Sequence, residues 1–173
     1  NVDPVLRLMH RTGIQSTGWL DSGDKCIRSH LANVDIDLFC NDWNTLKPVA
    51  RDDIAPFVVA SVDIECNSST GKFPDADIVG DACFQIAISL CKFGSDEPYD
   101  KTCLCYKQTD SNLDGCDIRS YDTERQMLEA FQKYIQKKDV DIITGWNIFG
   151  FDMEYIYKRA RLNRCHYEFF NLG

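Results

Sequence analysis

Read for hydrophobic periodicity, the chain opens with Asp3-Pro4 followed by Val5, Leu6, Leu8 and Met9. That spacing predicts a short helix with Pro near its first turn and Gly13 as its stop. Strand-like runs follow at 17–20 and, with period-two alternation, at 34–38, where Val34, Ile36 and Leu38 alternate with Asp35 and Asp37. From Lys47-Pro48 to Ala55-Pro56 the chain turns polar and is bracketed by proline, which predicts a boundary between a small β-rich piece (1–55) and a second region (56–173).

The second region is patterned more strongly. Phe57 to Glu65 is the β-branched run of a buried central strand, yet it carries two carboxylates at its end. Runs at 84–91 and 102–106 predict further strands in hairpin order, around a turn at Gly94 to Pro98. Residues 122–138 give the clearest helix. Asp122 or Thr123 caps it, Glu124 lies in its first turn, Met127, Leu128, Phe131, Tyr134 and Ile135 form one apolar stripe, and Lys137 and Lys138 suit its C-terminus. A short strand at 140–144, a loop at 145–150 and a helix at 152–162 complete an order of β, β, β, α, β, α, the signature of an α/β domain.

Composition narrows the class. At 173 residues the chain can hold one domain, or one domain and part of another. No apolar run approaches the ~18 residues of a membrane helix, and the N-terminus lacks the basic-then-apolar order of a signal peptide. The chain starts on Asn1 and stops at Gly173 after an aromatic cluster, which suggests an excised fragment. With 19 Lys and Arg against 27 Asp and Glu, the net charge of −8 argues against a protein devoted to coating a phosphate backbone, but leaves a nuclease open. The nine cysteines show no C-x-x-C pairing and have only three histidines for company, so they read as core thiols in a reducing compartment.

Asp63 and Glu65 stand two apart on a predicted strand and therefore share one face. Two adjacent acids repel each other and lose hydration, and a divalent cation relieves both costs; the rival reading is a strand that runs out into solvent. Asp152 begins a helix after the loop Gly145-Trp146-Asn147-Ile148-Phe149-Gly150-Phe151. An aspartate there is commonly a cap, but the aromatic loop suits a surface that stacks an unpaired base, with core packing as the alternative. Asp110 to Gly115 and Asp75 to Gly80 imitate calcium loops but lack the closing glutamate, and read as polar turns. The basic run Lys158, Arg159, Arg161 and Arg164 reads as a solvated helix face.

Two stretches carry a resemblance. Ser61-Val62-Asp63-Ile64-Glu65-Cys66, with Phe73-Pro74 downstream, resembles the first exonuclease motif of family B DNA polymerases, and Ile142 through Asp152 resembles the second. Arg11 to Trp19 is similar to the stretch before the exonuclease domain in delta-type polymerases, including those of large DNA viruses. The resemblance implies a ribonuclease H-like mixed sheet with flanking helices, preceded by the end of the polymerase N-terminal domain. It implies 3′→5′ proofreading, with Asp63, Glu65 and Asp152 as catalytic residues and ligands of two divalent metal ions, Mg²⁺ or Mn²⁺. Asn147 would orient the second motif and Phe151 would pack against the terminal nucleotide. The implied partners are DNA with a single-stranded 3′ end, deoxynucleotides for the parent polymerase, a sliding clamp and accessory subunits; the implied location is the nucleus or a viral replication site. A non-catalytic nucleic-acid or protein-binding module on the same fold is the alternative.

Two departures accompany the resemblance. Glu154 stands where the family often has proline, which would only preset the first helical turn. The third exonuclease motif, Tyr-x-x-x-Asp, and the polymerase motifs have no counterpart before Gly173, so the chain alone is expected to be nearly inactive.

Overall fold

A computed structural model describes residues 2–32, 34, 36–110, 113–169, 171 and 172, the side chain of Glu168 excepted. The chain forms two compact units, 1–54 and 55–173. In the first, helix α1 (Pro4–Thr12) forms as its sequence predicts. The Asp3 carboxylate accepts hydrogen bonds from the amides of Val5 and Leu6 at 2.8 and 3.2 Å, and Gly13 ends the helix in the left-handed region at φ 75°.

Four short strands follow: β1 (Trp19–Asp21), β2 (Cys26–Ser29), β3 (Asp37–Cys40) and β4 (Lys47–Val49). They form two antiparallel pairs, β1 with β4 and β2 with β3. The alternating run at 34–38 becomes a strand only from Asp37; its Asp35 lies outside the described residues. Asp37 accepts from the amides of Leu31 and Ala32, which makes it the anchor of a turn rather than the middle of a strand. The polar stretch at 47–49 is likewise a strand, with Pro48 tolerated because a two-stranded sheet has only edges. Among the described residues of this unit only Ile14 is a buried apolar residue.

The second unit is a five-stranded mixed sheet in the order β8-β7-β6-β5-β9. Its strands are β5 (Val58–Cys66), β6 (Cys83–Lys92), β7 (Asp100–Tyr106), β8 (Asp117–Tyr121) and β9 (Ile142–Thr144). β6 is antiparallel to β5 and β7, whereas β8 lies parallel to β7 and β9 parallel to β5. β8 escapes the periodicity because it is an edge strand with a polar composition, Asp117-Ile118-Arg119-Ser120-Tyr121. Helices α2 (Glu124–Lys137), α3 (Asp152–Leu162) and the single turn α4 (His166–Phe169) pack on one face of the sheet.

That face is a continuous core. Val58, Ala60, Val62 and Ile64 of β5 meet Ile86, Ile88 and Leu90 of β6 and Leu104 of β7. The α2 stripe of Met127, Leu128, Phe131, Tyr134 and Ile135 closes over them, every member at most 4% exposed. Thr123 caps α2 through a reciprocal capping box with Gln126. At its other end the Tyr134 hydroxyl donates to Asp100 at 2.6 Å, and Lys138 pairs with the same carboxylate. β9 is held beside β5 by Asp141, whose carboxylate accepts from the Val58 amide at 2.7 Å and whose amide donates to the Val58 carbonyl at 3.0 Å.

Candidate active site

β5 alternates, so the residues between the core positions face the opposite way: Ser61, Asp63 and Glu65 are exposed. Asp63 stands opposite Ala87 of β6 and Glu65 opposite Gln85, so neither acid meets a cation across the strands. Asp63 and Glu65 line a hollow of about 460 Å³ with Gln85, Ser89, Lys101 and Asp114. Asp63 also lines a neighbouring hollow of about 520 Å³, together with Ser61, Thr144, Gly145 and Trp146.

The second acidic stretch reaches β5 through a tight turn. β9 pairs with β5 only as far as Thr144 opposite Ser61, after which the chain turns away. Gly145 passes so close to β5 that a Cβ there would run into the Val62 carbonyl oxygen. Asn147 takes a left-handed conformation at φ 51°, which asparagine tolerates better than most residues, and its carbonyl accepts from the amides of Gly150 and Phe151 at 2.8 and 3.0 Å. Gly150 lies against the Asn147 side chain, where any side chain would collide. Asn147 thus shapes the turn that delivers Asp152.

Asp152 is the first residue of α3 and is 4% exposed. The N-cap position belongs to Phe151, which makes no side-chain cap hydrogen bond, so Asp152 is not the helix cap. Burial pushes its carboxyl pKa upward and the negative charge of Asp63 adds to the rise, while its own amide and that of Ile64 counteract. The structure therefore brings Asp152 beside Asp63, but Asp152 does not line the hollow that Asp63 and Glu65 share. Among the described residues no group of three or more His, Cys, Asp or Glu side chains converges on one metal position. None of the three acids makes an ion pair among the described residues. In donor chemistry the set fits a hard cation, being all carboxylate oxygen with uncompensated charge.

Trp146 lines a hollow with Asp63, and Phe151 immediately precedes Asp152. The Phe151 ring meets Phe73 edge-on at 5.3 Å and Tyr155 at 5.3 Å. Trp146 and Phe149 are 93% and 85% exposed, so these two loop rings are not core packing, whereas Phe151 packs against the core; Phe73, from another segment, is 77% exposed. Phe151 itself is half-buried beneath Phe73.

Three charged residues near the site have roles the periodicity did not reveal. Arg159, read as part of a solvated face, is 2% exposed and forms a two-pronged ion pair with Glu124 at 2.7 and 2.6 Å. Glu124, placed by the sequence in the first turn of α2, is 6% exposed. Asp81 is wholly buried. The signal for the first two was present: Arg159 falls on the same helix face as Tyr155 and Ile156, and Glu124 lies three and four residues from Met127 and Leu128.

The nine cysteines are free thiols, four of them buried. The calcium-like segments are turns, with Ile78 donating to Asp75 and Cys116 to Leu113; Ser111 and Asn112 lie outside the described residues. No helix among the described residues is long and apolar enough to cross a membrane.

A mixed five-stranded sheet with helices on its core face and an acidic pair on a central strand defines a ribonuclease H-like α/β domain. Comparison with known proteins makes the class specific. Residues 1–172 match the family described as DNA polymerase family B, exonuclease domain, and the chain belongs to that family. It is 34% identical to a DNA polymerase of Acanthamoeba polyphaga mimivirus over 92% of the chain, and 31% identical to one of Paramecium bursaria Chlorella virus NY2A over 94%. Over 93% of the chain it is 32% identical to the DNA polymerase delta catalytic subunit of Bos taurus. The chain spans 9%, 18% and 15% of the length of these three relatives respectively.

Proposed function

We propose that this chain is the N-terminal portion of a longer DNA-directed DNA polymerase, 1–55 ending its N-terminal domain and 56–173 carrying the first two motifs of its 3′→5′ proofreading exonuclease. The observation that carries the reading is the exposed pair Asp63 and Glu65 on β5 with buried Asp152 beside it, three acids without an ion pair among the described residues.

In this reading Asp63, Glu65 and Asp152 hold two divalent ions, Mg²⁺ or Mn²⁺, together with a fourth carboxylate from a following segment. Such ions, when bound, acidify an attacking water and neutralise charge on the scissile phosphate and the departing 3′ oxygen. The protein's own share is placement. Asn147 fixes the turn that presents Asp152, and Phe151, with Phe73 against it, offers a flat apolar surface to the terminal base. A mispaired end unpairs at lower cost, which favours its entry as a single strand. DNA and deoxynucleotides are then the parent's substrates, a sliding clamp and accessory subunits its partners, and the nucleus or a viral replication site its location.

That Asp152 does not line the hollow shared by Asp63 and Glu65 favours a second reading, a non-catalytic nucleic-acid or protein-binding module on the same fold. One experiment decides between them. In the full-length protein, Asp63→Ala combined with Glu65→Ala is expected to cut release of 3′ nucleotides by roughly a thousandfold or more while leaving polymerisation unchanged. Undiminished excision by the double variant would remove the catalytic assignment.

A further inference from the structure

Between β5 and β6 the chain runs from Asn67 to Ala82 without a strand or helix. Its ends are joined, since the Asn67 amide donates to the Ala82 carbonyl at 2.8 Å, and it is thus a closed surface loop. Ordering such a loop costs backbone entropy that a loop poor in apolar contacts does not recover by burial. Here polar groups recover it. The Asp81 carboxylate, wholly buried, accepts from the Ser69 amide at 2.7 Å, the Ser69 hydroxyl at 2.6 Å and the Asp75 amide at 2.9 Å.

From outside the loop, the buried Arg159 guanidinium donates to the carbonyls of Ala76, Ile78 and Val79 at 3.1, 2.7 and 3.3 Å. Its remaining donors go to Glu124, which also accepts from the Cys83 amide at 2.9 Å and from the Asn163 side chain at 2.8 Å. The Tyr155 hydroxyl donates to the Asp81 carbonyl at 2.7 Å. Buried ion pairs generally stabilise less than apolar residues of the same volume, so a fully satisfied one is better understood as fixing geometry than as adding stability.

What the network fixes is the loop that carries Phe73. Its anchors Tyr155 and Arg159 sit on α3, the helix that Asp152 begins, and Phe73 touches Phe151 immediately before it. One rigid helix therefore sets both the acid and the exposed ring. We propose that Asp81, Arg159 and Glu124 are positioning residues that hold Phe73 against Phe151 and so set the place of a terminal base beside Asp152. This rests on the exonuclease reading above.

The test uses the full-length protein and a single-stranded oligonucleotide ending in 2-aminopurine, whose fluorescence is quenched when it stacks. Asp81→Asn is expected to raise KM for excision about tenfold, with kcat within about twofold, and to lose most of the quench. The Asp63→Ala, Glu65→Ala double variant is expected to keep the quench and lose turnover. An Asp81→Asn protein with unchanged KM and quench, or one that loses kcat alone, overturns the proposal. If the double variant still excises, the catalytic reading falls while the quench continues to judge the loop. Should Asp81→Asn lose polymerisation, and so its fold, Ser69→Ala removes a single bond to the same carboxylate; it is expected to raise KM about threefold, and an unchanged KM in folded protein counts against the proposal.

Discussion

At the scale of single residues, Asp81 shows how a buried charge is kept. The Ser69 hydroxyl, the amides of Asp75 and Ser69 and the charge of Arg159 hold its carboxyl pKa below the ordinary value, against the opposing effect of burial. The fold thus favours the ionised form. The resulting stabilisation is present above the unfolded carboxylate value near ~3.9 and is lost as pH falls through the lower folded value. Urea unfolding is expected to show the unchanged protein more stable than Asp81→Asn at neutral pH, with the gap narrowing on acidification below about pH 4. An equal gap at both pH values contradicts that account. Residues of this kind were illegible beforehand, because an aspartate in a polar loop has the same sequence appearance whether its carboxylate faces water or, as here, two amides and a hydroxyl. Asp63 and Glu65 were legible because period two on a strand leaves them one face to share.

At the scale of elements, α2 was readable because every level of its sequence agrees: a cap, an apolar stripe at helical spacing and a basic end. Its capping box predicts a measurable loss. Thr123→Ala is expected to lower the unfolding free energy by about 1 kcal/mol in denaturant titration, whereas substitution of exposed Lys133 by Ala changes it by less than about 0.5 kcal/mol. Indistinguishable midpoints for the two variants would mean that the cap does not limit α2. The short strands were less readable. β3 and β8 each have two or three apolar residues, and their pairing partners, rather than their own periodicity, decide where they start. The turn from Gly145 to Gly150 was located by its glycines, yet the reason for them, close approach to the Val62 carbonyl and to the Asn147 side chain, is a tertiary fact.

At the scale of the molecule, the two units differ in what holds them. The sheet of the second unit is backed by a contiguous apolar core, while the first unit has Ile14 as its only buried apolar residue among those described. Amide hydrogen exchange is therefore expected to show lower protection throughout 1–54 than in β5, β6 and α2. Equal protection in α1 and β5 would show that the first unit draws its stability from somewhere other than its own core. The one-sided helix layer has a further consequence. Along β5 the even-numbered positions from Val58 to Ile64 face the core and the odd-numbered ones from Ser61 to Glu65 face away from it, so the two sets can vary separately under substitution. A single inserted or deleted residue within that strand would exchange the two sets at once, driving carboxylates into the apolar layer and valines into water, so this strand can absorb changes of side chain far more readily than changes of length.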